Sequence, residues 1–134
     1  MASKTIETMP IRSDQDVVMI RQRVRARTVE LGFSLVDQTK MVTAASELAR
    51  NTLQHGRGGD VHMEEVVNGI KRGLRLSFVD RGPGIADVAL ALTDGYTTGG
   101  GLGLGLSGSR RLVNDFEVES KVGEGTRVTV TRWK

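Results

Sequence analysis

The chain has 134 residues, enough apolar material for one two-layer core, so we expect a single domain over residues 1–134. Its 19 basic and 16 acidic residues are interspersed, and three Phe, one Tyr and one Trp leave little for base stacking, so nucleic acid is not an expected partner. The absence of cysteine excludes a disulfide scaffold and a thiolate metal site. The start lacks a secretory pattern and no apolar run approaches roughly 20 residues, so we expect a cytoplasmic protein with no membrane partner.

The first part of the chain predicts one strand and two helices. Residues 5–12 alternate weakly, as in a strand, and Ser13-Asp14 offers an N-cap for a helix to about residue 31. A second helix is predicted from Val36 to the residue before Gly56. Its apolar side is predicted to contain Val36, Met41, Ala44, Ala45, Leu48, Thr52 and Leu53.

The second part predicts two antiparallel pairs of strands with helices between them. Residues 60–68 and 73–80 are strand-like and are separated by the turn sequence NGIKRG. A short helix over residues 87–92 and a longer one over about 103–113 follow. The sequences FEVES and TRVTVTRW, joined by the turn KVGEG, predict the second pair.

The glycine-rich stretch YTTGGGLGLGLSGSRRL, residues 96–112, indicates main chain that approaches a ligand closely, and phosphate is the commonest such ligand. It is not a P-loop, because Ser109 and Arg110 follow its last glycine where that motif needs Lys and then Ser or Thr. Gly103, Gly105 and Gly108 match the GxGxxG spacing, but no strand precedes them. A flexible linker without a ligand is the remaining alternative.

Glu47 and Asn51 form a candidate chemical pair in the second helix. Their i, i+4 spacing places a carboxylate that can accept a proton beside an amide oxygen that can ligate Mg²⁺. A solvated surface pair would have the same spacing.

A second candidate site is the sequence DRGPGI, in which Asp80 ends an apolar strand. Such a carboxylate can accept a hydrogen bond from the exocyclic amine of adenine, while Gly82 and Gly84 would let a flat ring approach the backbone. A plain turn with an aspartate N-cap and no ligand would have the same sequence pattern. Gly125-Thr126, which enters the last strand, is by itself an ordinary hairpin turn.

In their order, these four elements resemble the ATP-binding Bergerat fold of the GHKL superfamily, which includes gyrase-type topoisomerases, heat-shock chaperones and histidine kinases. The boxes SELARN and DRGPGI and the short TTGGGLGLGL loop are most similar to the small serine kinases of bacterial partner-switching modules. The resemblance implies an α+β fold, a two-layer α/β sandwich whose mixed sheet is covered on one face by helices. It implies ATP and Mg²⁺ as cofactors and a serine on a STAS-domain (anti-sigma-antagonist) partner as phosphoacceptor.

Carried over residue by residue, the resemblance assigns Glu47 as the catalytic base, Asn51 as the magnesium ligand and Asp80 as the residue that binds the adenine amino group. The other residues that it assigns to nucleotide binding are Gly82, Gly84, Ile85, Gly99, Gly100, Gly101, Leu102, Gly103, Leu104, Gly105 and Thr126. The alternative function is a nucleotide-gated module that sequesters a sigma factor or activates a phosphatase.

His55 and His62 are the only histidines, and we expect structural roles for them, at a helix end and in a strand. The alternating Arg21, Arg23, Arg25 and Arg27 predict a solvated helix surface, with partner docking as the alternative.

Overall fold

A computed structural model describes residues 2–92 and 104–134 of the chain, with no description of the side chains at positions 90, 91, 104 and 105. The described elements, in chain order, are β1 (Ala2–Ile11), α1 (Asp14–Glu30), α2 (Leu35–Gln54), β2 (Gly59–Asn68), β3 (Lys71–Asp80), α3 (Val88–Ala91), α4 (Leu104–Arg111), β4 (Asp115–Lys121) and β5 (Gly125–Trp133). Every predicted helix and strand has a counterpart within a few residues. None of the described helices is long and apolar enough to span a membrane.

Side-chain caps fix the starts of the two long helices. The Ser13 hydroxyl accepts from the backbone N–H of Asp16 at 3.2 Å, and the Ser34 hydroxyl accepts from that of Asp37 at 3.1 Å. Ser34 starts α2 before Val36, which is 62% exposed, so the prediction of Val36 on the apolar side was wrong. Leu35 and Val36 in the first turn of α2 are exposed, and the apolar face of the helix is buried from Met41 onward.

The sheet has the strand order β1-β2-β3-β5-β4, and all four pairs are antiparallel. The predicted α+β sandwich is confirmed, whereas the expectation of a mixed sheet was wrong. The segment that carries α3 and α4 does return β4 in the same direction as β3. However, β5 lies between those two strands and is antiparallel to both, so no parallel pair forms.

The helices cover one face of the sheet, as predicted. One core cluster joins Val24 of α1 and Leu48 of α2 to Met63, Phe78 and other inward residues of the strands. On the opposite face the strands present polar side chains, because successive residues of a strand point to opposite sides. The ends of β3 and β5 nearest Asp80 and Thr126 therefore lie under α2, where the predicted site residues are.

The arginines of α1 divide into two pairs. Arg23 and Arg27 both contact the Glu7 carboxylate of β1, at 3.3 and 3.1 Å, while Arg21 and Arg25 are exposed. Two of the four arginines that were predicted to be solvated therefore form ion pairs that hold α1 against β1, an edge strand of the sheet.

Candidate functional site

A pocket between α2 and the sheet brings together four residues that the sequence assigned to nucleotide binding. They are Asn51 from α2, Asp80 from the end of β3, Ile85 from the turn that follows, and Thr126 from β5. The remaining lining side chains are those of Leu48, Thr52, His55, Phe78, Leu106 and Val128. The lining is thus mostly apolar, with a few polar side chains among it.

Asp80 is 9% exposed and its two oxygens have different surroundings. Oδ1 accepts hydrogen bonds from the backbone N–H groups of Gly82, at 2.9 Å, and Thr126, at 3.3 Å. Oδ2 accepts no hydrogen bond from the described residues. The carboxylate is therefore held in one orientation by Oδ1, and Oδ2 is left to receive a donor such as an exocyclic amine.

Glycines surround Asp80 because neighbouring atoms, those of the Asp80 side chain at Gly56 and of the backbone at the other positions, leave no room for a Cβ atom. At Gly56 a Cβ would lie 2.3 Å from Asp80 Cγ, and at Gly125 it would lie 2.1 Å from the Asp80 carbonyl oxygen. At Gly82 it would lie 2.7 Å from Gly56 Cα, and at Gly84 2.4 Å from the Lys121 carbonyl oxygen. Close packing of the chain on itself therefore already requires Gly82 and Gly84, a reason different from the predicted approach of a ring.

A hydroxyl network fixes the turn after β3 against β4 and β5. Ser120 Oγ accepts from the Ile85 N–H at 2.7 Å, donates to the Gly125 carbonyl at 3.2 Å, and lies 2.8 Å from Thr126 Oγ1. His55 Nε2 lies 3.3 Å from the Gly84 carbonyl and joins the end of α2 to the same turn. The contact gives His55 a structural role as the C-cap residue of α2.

Asn51 has an unsatisfied polar atom. Its Nδ2 is buried and has no hydrogen-bond partner in the described part of the chain. Burying an amide without a partner costs free energy, so the arrangement is better suited to a ligand-bound state than to the empty pocket.

Glu47 lies one turn before Asn51 on α2 but does not line the pocket. Its side chain is 44% exposed, and Oε1 is 3.7 Å from Nη1 of Arg50. This carboxylate is therefore accessible to solvent, one turn before the pocket residue Asn51.

Of the predicted loop residues, Gly99, Gly100, Gly101, Leu102 and Gly103 lie outside the described residues. Leu104 and Gly105 form the start of α4, which packs against α2.

Two residues that support the site were missed by sequence reasoning: Gly56 was taken only as the stop of a helix, and Ser120 only as part of a strand. His55 was correctly predicted as a helix-end residue, without its contact to the turn after β3. The only signal for Gly56 was a glycine adjoining the predicted site helix. Ser120 carried no signal, because its role depends on the pairing of β4 with β5.

The sequence profile of the family described as histidine kinase-, DNA gyrase B-, and HSP90-like ATPases matches residues 36–134. The chain is 42% identical over 123 residues to the serine/threonine-protein kinase RsbT of Bacillus subtilis, covering 92% of both chains. It is 30% identical over 128 residues to an anti-sigma F factor of Clostridium kluyveri, covering 91% of this chain and 89% of the relative.

A crystal structure of the RsbU and RsbW domains of a Mycobacterium tuberculosis protein has the same fold. Its TM-score is 0.65 at 21% identity, and the match covers all of this chain and 33% of the other. The sequence similarities further show that the chain is a protein serine/threonine kinase that uses ATP, related to partner-switching regulators. The chain belongs to the family of histidine kinase-, DNA gyrase B- and HSP90-like ATPases.

Proposed function

We propose that this kinase uses magnesium and ATP to phosphorylate a serine on a STAS-domain partner, in a bacterial partner-switching pathway of the cytoplasm. The observation that carries the proposal is the pocket in which Asp80 and Asn51 converge, with Oδ2 of Asp80 free and Nδ2 of Asn51 unsatisfied. The similarity to RsbT supports the choice of a serine or threonine acceptor.

In this proposal the pocket binds the adenine end of ATP. Oδ2 of Asp80 accepts from the exocyclic amine, and the Thr126 hydroxyl, already beside Ser120, joins the same contact. Ile85 and the other apolar lining residues pack against the ring. The loop of residues 99–105 would wrap the triphosphate, and this remains a prediction.

Asn51 is the residue that fits a magnesium ion bound with the nucleotide. Among the described residues no group of three His, Asp or Glu side chains could hold a metal, so Asn51 would contribute one oxygen and the phosphates the others. Magnesium, when bound, supplies charge neutralisation on the phosphate oxygens.

Glu47 is proposed to receive the proton of the acceptor serine. The serine oxygen forms its bond to the γ-phosphorus while the bond from that phosphorus to the bridging oxygen breaks, and ADP leaves with the electron pair. The exposure of Glu47, beside Arg50 and one turn before Asn51, suits a base whose substrate is carried by another protein.

The direct test is transfer of a labelled γ-phosphate from ATP to a partner protein. The purified protein is incubated with γ-labelled ATP, magnesium and STAS-domain proteins encoded near its gene, and phosphoserine is mapped by mass spectrometry. We expect label on one serine of one partner, and none when that serine is changed to Ala. Absence of label from every partner, with ATP bound, would contradict the proposal.

A second candidate function is sequestration of a sigma factor under nucleotide control, with little phosphotransfer. The similarity to anti-sigma F factors favours it. Sedimentation of the protein with sigma factors, in ATP and in ADP, distinguishes the two. Nucleotide-dependent co-sedimentation without labelled STAS protein would favour sequestration.

A further inference from the structure

A second pocket, which is polar and has a volume of about 480 Å³, lies where β1 and β3 end and β2 begins. Its wall includes Asp60, His62 and Val79, which alternate with the core residues Val61 and Phe78 and so face the side of the sheet without helices. It is distinct from the pocket under α2, although Asp80 contributes to both.

Three arginines from separate segments line this pocket. Arg12 comes from the junction of β1 and α1, Arg57 from the turn between α2 and β2, and Arg81 from the residue after β3. None of the three guanidinium groups has an ion pair or hydrogen bond with any residue that the structure describes. In contrast, Arg27 and Arg132 are each bound to carboxylates.

The floor of the pocket is bare backbone held in place by its neighbours. A Cβ at Gly59 would lie 1.9 Å from the Val79 carbonyl oxygen, and one at Gly58, where φ is +98°, would lie 2.9 Å from that of Ile11. Arg57 adopts φ of +61°, the one left-handed residue other than glycine in the described ranges. A long side chain kept in this costly conformation points to a use for its guanidinium.

His62 adds a fourth donor. Its Nδ1 lies 3.0 Å from the Thr8 hydroxyl, and when that hydroxyl donates, the neutral ring carries its proton on Nε2. The ring contributes to the pocket wall with Nε2 as its remaining polar atom.

We propose that this pocket binds a tetrahedral oxyanion of the phosphate class, either free phosphate or a phosphorylated side chain. One guanidinium satisfies a planar carboxylate, whereas donors from three arginines and a histidine on different segments suit the several oxygens of a phosphoryl group. Of the two carboxylates in the wall, Asp80 directs Oδ1 to backbone N–H groups, and Asp60 is exposed. Because Arg81 adjoins Asp80, occupancy is expected to affect the nucleotide pocket.

The test follows backbone amide resonances of the labelled protein during titration with sodium phosphate or O-phosphoserine, at ionic strength held constant with chloride. We expect saturable shifts at Gly58, Gly59 and Arg81 with at least one ligand. Tighter saturation by phosphoserine assigns a phosphorylated protein as the source, and saturation by phosphate alone assigns the free anion. Shifts no larger than those produced by chloride would overturn the proposal.

Variants identify the binding groups. Arg12→Gln, Arg57→Asn and Arg81→Gln should each weaken binding by about tenfold or more, because each removes a charged donor; Asn also tolerates the left-handed backbone at position 57. Asp60→Asn should tighten binding, since it removes repulsion. Lys71→Gln, at the far end of the β2–β3 pair, is the matched control and should change affinity less than twofold. Equal effects of Lys71→Gln and the arginine variants, or weaker binding by Asp60→Asn, would contradict the site. The result does not depend on kinase activity, so it can fail without the proposed function failing.

Discussion

The Cβ atom that Gly56 lacks would lie 2.3 Å from Cγ of Asp80 and 2.5 Å from its Oδ2. Gly56→Ala should therefore displace the carboxylate, weaken ADP binding about tenfold or more, and reduce the free energy of unfolding by about 1–3 kcal/mol. Calorimetry and urea unfolding measure the two effects. Gly108→Ala is the control, because no atom of the described residues, apart from its chain neighbours and the backbone of α4, lies within 4 Å of its Cβ position. Equal ADP affinity in both variants would mean that Asp80 does not bind adenine.

Asp80→Asn should weaken ATP and ADP binding alike, by about 1.5–3 kcal/mol. If the amide oxygen keeps the two N–H groups of Gly82 and Thr126, its NH₂ faces the adenine amine, and two donors meet. The reversed amide would instead oppose its NH₂ to the two backbone donors. Isothermal calorimetry with both nucleotides tests this, and unchanged ADP affinity would remove Asp80 from the adenine site.

Asn51→Ala should abolish the magnesium dependence of ATP affinity and leave metal-free ADP binding nearly intact. Because Nδ2 of Asn51 has no partner in the described part of the chain, the substitution should cost little stability. ATP titrations with magnesium and with a chelator provide the measurement, alongside a urea melt. If ATP affinity still depended on magnesium, a group other than Asn51 would be the metal ligand.

Glu47→Gln should lower single-turnover transfer to the partner serine by roughly 10²–10⁴-fold while nucleotide affinity stays within a few-fold. The amide keeps the shape of the side chain and removes the base. Arg50→Met is the matched control, since it breaks the 3.7 Å ion pair and leaves the carboxylate. Rapid-quench kinetics compare the three proteins. Undiminished transfer in Glu47→Gln would show that another group takes the proton.

Asp37→Asn should make the free energy of unfolding less dependent on pH in the acid range. Arg132 contacts the Asp37 carboxylate at 2.6 Å and lowers the pKa of Asp37 from its ordinary 3.8. A lowered folded-state pKa stabilises the fold above the unfolded value, and this stabilisation is lost as pH falls below 3.8 through the folded value.

At neutral pH, Asp37→Asn should lower the free energy of unfolding by about 0.5–1 kcal/mol, a small amount because the Asp37–Arg132 pair is partly solvated. It should disappear at acid pH in urea melts of parent and variant. Asp14→Asn, also in the first turn of a helix but without an arginine partner in the described residues, controls for the helix dipole. A difference between parent and Asp37→Asn that stays constant with pH would contradict the assignment.

Local sequence signals predicted most elements of the fold because caps and turns act over a few residues. Ser13 capped α1 as expected, and the alternation of residues 73–80 matched β3. The position of β5 between β3 and β4 could not be predicted from local signals, because it depends on pairs of residues that are far apart in the sequence, such as Gly73 with Trp133.

The candidate site was predictable where one residue type carries its own chemistry, as with Asp80 at a strand end. Its supporting contacts were not, because Gly56 and Ser120 act through tertiary proximity. The spacing of Glu47 and Asn51 likewise predicted a shared side of the helix. It did not reveal that Asn51 lines the pocket while Glu47 is exposed to solvent.

The central position of β5 has a consequence for the order in which the protein can assemble. Both of its neighbours, β3 and β4, leave the ribosome before it, and β4 has no other partner in the described sheet. Until residues 125–133 emerge, Thr126 cannot hold the Asp80 carboxylate and the sheet ends at β3. A nascent chain stalled before Gly125 should therefore be sensitive to protease after β3, and nucleotide should protect only chains synthesised beyond Trp133.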